Sequence, residues 1–215
     1  MGGAWSAKGE YDKAIEYYEK ALKSDIKTFG EEHPNVATCW NNLGEAWHSK
    51  GEYDKAIEHY KKALKSNIKT FGEEHPNVAI CWNNLGGAWH SKGEYDKAIE
   101  YCEKALKSNI KTFGEEHPNV AICWNSLGAV WNEKGNYDKA IEYCEKALKS
   151  EIKTFGEEHP NVAICWNNLG WAWSAKGEYD KAIKYYEKAL NSFKQAGLYR
   201  HAEKVKKNLK AIRER

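Results

Sequence analysis

The chain has no apolar run long enough to cross a membrane as a helix, which takes about 18 residues or more. Its start, Met1-Gly2-Gly3-Ala4-Trp5, lacks the apolar core of a secretory leader. Both absences point to a cytoplasmic protein without a membrane partner. Charge of one sign is lacking too: the net charge is +2, so neither nucleic acid nor an anionic lipid surface is selected as partner. Six cysteines are present, but there is no C-x-x-C and no close Cys/His cluster. That argues against structural zinc and fits free thiols in a reducing compartment. Absent as well are a P-loop, an H-E-x-x-H helix, a nucleophile elbow and a carboxylate pair outside the repeated framework. The sequence therefore predicts no catalytic residue, no cofactor and no metal.

What the chain has is repetition. Trp5, Trp47, Trp89, Trp131 and Trp173 follow one another at a spacing of 42 residues, and a fixed period of that size is the signature of a repeat array. Between His33–Glu74 and His75–Glu116 only Thr38/Ile80, Glu45/Gly87, His59/Tyr101, Tyr60/Cys102 and Lys61/Glu103 differ. The period divides the chain into a partial repeat over 1–32, repeats over 33–74, 75–116 and 117–158, a last repeat over 159–197, and a terminal segment over 198–215. All belong to one elongated domain. Residues 1–8 match the second half of the repeat's first helix, so the array begins in mid-repeat and its uncovered face is a site of possible self-association. Met1-Gly2 with Ser6 has the outline of a myristoylation signal, but Gly2 also falls at the Leu-Gly step of the repeat.

Each repeat reads as two amphipathic helices. Helix A opens at His75-Pro76-Asn77, where proline costs no hydrogen bond, and runs to about Lys92. It places Val78, Cys81, Trp82, Leu85, Ala88 and Trp89 on one face. Gly93 stops it. Helix B carries Tyr95, Ala98, Ile99, Cys102, Ala105, Leu106, Ile110 and Phe113 at the same spacing and ends at Gly114. Neither helix buries its stripe alone, and stacking of neighbouring pairs closes the core. In the terminal segment Leu198, Ala202, Val205, Leu209 and Ile212 share a face, with Lys204, Lys206, Lys207, Lys210 and Arg213 elsewhere. That reads as a capping helix, with docking of an acidic partner as the alternative.

The order W-x-x-L-G-x-x-W followed by G-x-Y-x-x-A-I-x-x-Y/C-x-x-A-L is similar to the tetratricopeptide repeat (TPR). F-G-E-E-H-P-N-V-A with N-N-L-G resembles the longer repeats of kinesin light chains and of sensor arrays in nucleotide-binding immune proteins. The resemblance covers almost the whole chain. It implies an all-α fold, a right-handed α-solenoid of antiparallel helix pairs forming a TPR-like superhelix. It also implies a groove lined by the A helices, in which partner proteins or peptides are bound.

The candidate residues follow from that frame. Trp40, Trp82, Trp124 and Trp166 with Trp47, Trp89, Trp131 and Trp173 are core candidates, as are Cys39, Cys81, Cys123 and Cys165, one thiol per repeat. Cys102 and Cys144 replace a tyrosine held by the other copies. The E-E-H-P histidines, His33, His75, His117 and His159, read as helix-start residues; copies about 10 Å apart suit no shared metal. On the face of helix A turned to the groove, steps of three, four and three give Thr38, Asn41, Glu45 and His48. Later copies give Ile80, Asn83, Gly87 and His90; Ile122, Asn125, Ala129 and Asn132; and Ile164, Asn167, Trp171 and Ser174. A ladder of Asn41, Asn83, Asn125 and Asn167 offers donors and acceptors to an extended peptide, although duplication alone also repeats a solvated asparagine. Lys and Arg are absent from these positions, unlike the carboxylate clamp of chaperone-binding TPRs. Three functions stay open: a peptide-binding adaptor, a purely structural array without a ligand of its own, and, more remotely, a reader of single-stranded RNA.

Overall fold

The computed structural model describes Gly3, Trp5 and residues 9–214. The half-helix expected over residues 1–8 lies for the most part outside them. Ten α-helices fall within the described residues, and the chain divides into two compact units, Met1–Thr112 and Phe113–Arg215. The first contains α1 (Tyr11–Phe29), α2 (Pro34–Ser49), α3 (Tyr53–Phe71), α4 (Pro76–Ser91) and, but for its last residue, α5 (Tyr95–Phe113). The second contains α6 (Pro118–Glu133), α7 (Tyr137–Phe155), α8 (Pro160–Ala175), α9 (Tyr179–Gln195) and α10 (Tyr199–Arg213). Within each unit successive helices pack in adjacent pairs, and neighbouring A helices also touch, α2 with α4 and α6 with α8.

The helix ends have local causes. Proline is the first residue of α2, α4, α6 and α8, and the histidine before it is the N-cap: His75 Nδ1 accepts the Asn77 amide hydrogen at 3.2 Å, as His33, His117 and His159 do in their repeats. Each capping ring lies flat on the phenylalanine that ends the preceding helix, 4.2 Å between centroids for Phe113 and His117. This stacking corrects the apolar stripe expected of helix B. Ile110 and Phe113 are 37% and 39% exposed, because the end of the helix runs past the core and covers the cap instead. Helix α4 ends at Gly93, whose φ of +82° lets its amide reach the His90 carbonyl (2.9 Å) while the Glu94 amide reaches that of Trp89 (3.0 Å). A side chain there would meet the left-handed penalty.

The A and B helices of a repeat meet at a glycine. A Cβ added to Gly44 would stand 2.6 Å from the Tyr60 ring, and one added to Gly86 or Gly128 would collide with the Sγ of Cys102 or Cys144. Close approach at this point brings Trp40, Trp82, Trp124 and Trp166 to 7% exposure. In the first unit Trp40 packs with Val36, Ala63 and Cys81; in the second Trp166 packs with Val162, Tyr186 and Phe193. The face of α10 made by Ala202, Val205, Leu209 and Ile212 is buried against that last cluster.

The other four tryptophans sit at the edge of the core, partly buried against its clusters. Trp47, Trp89, Trp131 and Trp173 are half-buried, and a lysine of the following helix lies over each ring. Lys55 lies 4.2 Å over Trp47, and Lys139 lies 4.1 Å over Trp131. Their indole N–H groups are buried without an acceptor.

Candidate functional site

Adjacent A helices leave a cleft between them, and a helix B supplies its floor. In the first unit a cleft of about 170 Å³ between α2 and α4 is lined by Ala37, Thr38, Asn41, Asn67, Asn77, Ile80 and Cys81. Thr38, Asn41 and Ile80 are groove residues expected from the sequence, brought together by the α2–α4 contact. Ile80 is 46% exposed, and its copies Ile122 and Ile164 are 45% and 39% exposed. Apolar side chains left open at one helical register beside amides make a surface of mixed chemistry.

The floor was not foreseen. Asn67 sits on the inner face of α3, 6% exposed, and its Nδ2 donates to Cys81 Sγ at 3.4 Å. The signal was present: Asp25, Asn67, Asn109 and Glu151 occupy one position of the repeat, at the spacing of the buried stripe, where a polar residue is out of place. Asp25 marks the same arrangement one repeat earlier, Cys39 Sγ donating to its Oδ2 at 3.4 Å. Burial, and then the Asp25 carboxylate, pushes the Cys39 thiol up to about 11; burial alone leads in raising Cys81, Cys144 and Cys165, the last two to about 12. Thiols held protonated are hydrogen-bonding and packing groups, not nucleophiles.

The asparagine ladder is partly engaged with the asparagines that follow it in the next repeat, Asn84 and Asn168. Asn41 Oδ1 accepts from Asn84 Nδ2 at 2.9 Å, so the ladder ties α2 to α4. In the second unit Asn125 Oδ1 accepts from Asn168 Nδ2 at 3.4 Å while Asn125 Nδ2 donates to Cys165 Sγ at 3.1 Å. Asn41, Asn83, Asn125 and Asn167 are all half-buried, and Asn167 Oδ1 is buried without a partner. Glu45 is exposed. His48 is half-buried and shares a 2.9 Å hydrogen bond with Ser91 Oγ; burial lowers its pKa. His90 is half-buried beside Tyr95. Trp171 packs against the cluster under α10. Asn132 is the departure: at 5% exposure it is no groove contact, its short side chain remaining within the packing where the longer imidazoles of His48 and His90 stay half-exposed.

A second depression recurs behind the buried tryptophans. Trp40 with Glu31, Glu32, Lys62, Lys65 and Lys69 lines one of about 300 Å³. Its charges are largely paired, Lys69 with Glu32 and Lys62 with Glu58, so it resembles a solvated seam more than a binding pocket.

Comparison with known proteins gives this arrangement relatives. The sequence profile described as tetratricopeptide repeat matches residues 2–67, 48–92, 82–131 and 124–195. A comparison with curated proteins finds no significant match. Among solved structures, BtubC (BKLC) from P. vanneervenii is 25% identical with a TM-score of 0.77, over 92% of this chain and 78% of that one. A putative kinesin light chain of Podosopora anserina with nearly identical TPR-like repeats is 23% identical with a TM-score of 0.75, over 91% and 92%. The apo form of RapI, 19% identical, has a TM-score of 0.79 over 95% and 72%.

Proposed function

The chain belongs to the tetratricopeptide repeat family, whose domains generally mediate protein interactions, and from that premise we propose that it is a scaffold holding an extended segment of a partner protein against its A helices, without chemistry of its own. The observation that carries this reading is the α2–α4 cleft, where Thr38, Asn41, Asn67 and Asn77 stand beside the exposed Ile80. An extended peptide presents unpaired N–H and C=O groups. Carboxamides and hydroxyls answer both, and open isoleucines take its apolar side chains. The six buried cysteines suit work in a reducing compartment such as the cytoplasm, and among the described residues no helix is long and apolar enough to cross a membrane.

Selection of random peptides on the wild-type chain and on Asn83→Ala/Asn125→Ala and Ile80→Ser variants tests the proposal. A shared motif whose affinity drops in the variants, at unchanged helicity, supports the groove. Undiminished binding removes it from the account. The near-identity of the repeats, together with bonds such as Asn84 to Asn41 that the array makes to itself, favours a second reading as a purely structural array. In that case no peptide is enriched, and deleting one 42-residue unit lowers the unfolding midpoint smoothly.

A further inference from the structure

The floor of the cleft changes its chemistry along the chain. Two periods after Asn67, on α7, the same position is Glu151, 1% exposed and the only buried charged residue among those described. The repeat positions that line the first cleft carry related residues here: Cys165 for Cys81, Asn161 for Asn77, Ile164 for Ile80, and Ile122 in place of Thr38. A carboxylate cannot donate to the thiol as Asn67 does, and Asn125 Nδ2 has taken over that bond to Cys165. The Asn161 side chain hydrogen-bonds the Glu151 carboxyl. Oε2 is buried with no partner. The nearby groups are committed elsewhere: Lys153 pairs with Glu116, and His159 Nδ1 accepts the Asn161 backbone amide at the cap of α8.

We propose that the Glu151 cleft is a subsite for a basic side chain, lysine or arginine, of the segment held on the α6–α8 face. The cationic head replaces the Asn161 amide before the carboxylate and donates to Oε2, and the aliphatic stem lies across the exposed Ile122 and Ile164, as long basic side chains commonly do on apolar surface. Charge complementarity selects this occupant. An ionised oxygen without a donor is costly in a buried setting, and a cationic donor both pairs and neutralises it. The α2–α4 cleft, with neutral Asn67 in the same place, has no such preference. The proposal rests on the peptide-binding reading above and adds to it what one position of the peptide must be.

Random dodecapeptides selected on the wild-type chain supply the probes. Each is resynthesised with lysine replaced by norleucine or arginine by citrulline, and titrated against wild type, Glu151→Gln and Asn67→Glu. The expected result is a loss of about tenfold on removing either charge, with no further loss when both are removed. Asn67→Glu should in turn gain a preference for a second basic residue. Retention of full affinity by Glu151→Gln, or losses that simply add, would overturn the basic subsite while leaving the groove intact. Failure to enrich any peptide would overturn both. Glu151→Asn, which reproduces the residue of two other repeats, repeats the measurement should Glu151→Gln lose helicity.

Discussion

Gly86 and Gly87 are neighbours in α4 with opposite physical demands. A Cβ on Gly86 collides with Cys102 Sγ and stands 3.3 Å from the Ala98 carbonyl oxygen, whereas one on Gly87 meets nothing within 4 Å. Gly86→Ala should therefore cost about 1–3 kcal/mol through overpacking, and Cys102→Ala in the same chain should recover part of it. Gly87→Ala should stabilise by about 0.5–1 kcal/mol, because alanine loses less backbone entropy in a helix. Urea unfolding of the three variants measures both signs. Glu151 makes a second residue-scale prediction. Burial raises its pKa above the ordinary carboxylate value, against smaller opposing effects of Asn161 and His159. The native state then holds a proton that the unfolded chain has released, so this group's contribution is fully present below the ordinary pKa and is lost as pH rises through the raised one. The stability gain of Glu151→Gln over wild type should grow from pH 4 to pH 7. A constant difference across that range would show that the carboxyl is not desolvated.

At the scale of the element, the cap is what each A helix depends on. Exchanging His75 for alanine removes the acceptor of the Asn77 amide and the ring stacked 4.3 Å from Phe71. The expected loss is about 1 kcal/mol, with His75→Asn retaining most of the stability; chemical denaturation distinguishes them. Helix ends were legible in the sequence because proline and glycine act through the backbone, whose limits do not depend on what lies beyond the turn. The buried tryptophans were legible from their spacing. Two things were not. The exposure of Ile110 and Phe113 depends on where helix B outruns its neighbour, which a helical period does not contain. The placing of Lys55 over the Trp47 ring is a contact set by tertiary geometry. The groove register was legible as a row of candidates, and Thr38, Asn41 and Ile80 do line one cleft. The floor was missed because Asn67 belongs to helix B, and a face-by-face reading of helix A never reaches it.

For the whole molecule, repetition means that most helix pairs are copies, and among the described residues α10 departs from the pattern. Helix α10 covers Tyr186 and Phe193, each 2% exposed, with Ala202, Val205, Leu209 and Ile212. Ending the chain after Ala196 should remove at least about 3 kcal/mol, since each large apolar side chain contributes about 1.5–3 kcal/mol when buried. The loss falls on the second unit, so the unfolding transition should broaden or split. Sedimentation should show the truncated chain associating through the uncovered face, and a truncated monomer with wild-type midpoint would remove the capping role from α10.

The tryptophans give the array a further property. Trp40, Trp82, Trp124 and Trp166 are equally buried, each 7% exposed, so each full repeat carries a shielded fluorophore at the same register. Chains in which phenylalanine replaces all tryptophans but one of these would report the loosening of a single pair by its emission wavelength. The order in which nearly identical repeats come apart then becomes an optical measurement, each probe referred to its own folded and unfolded emission.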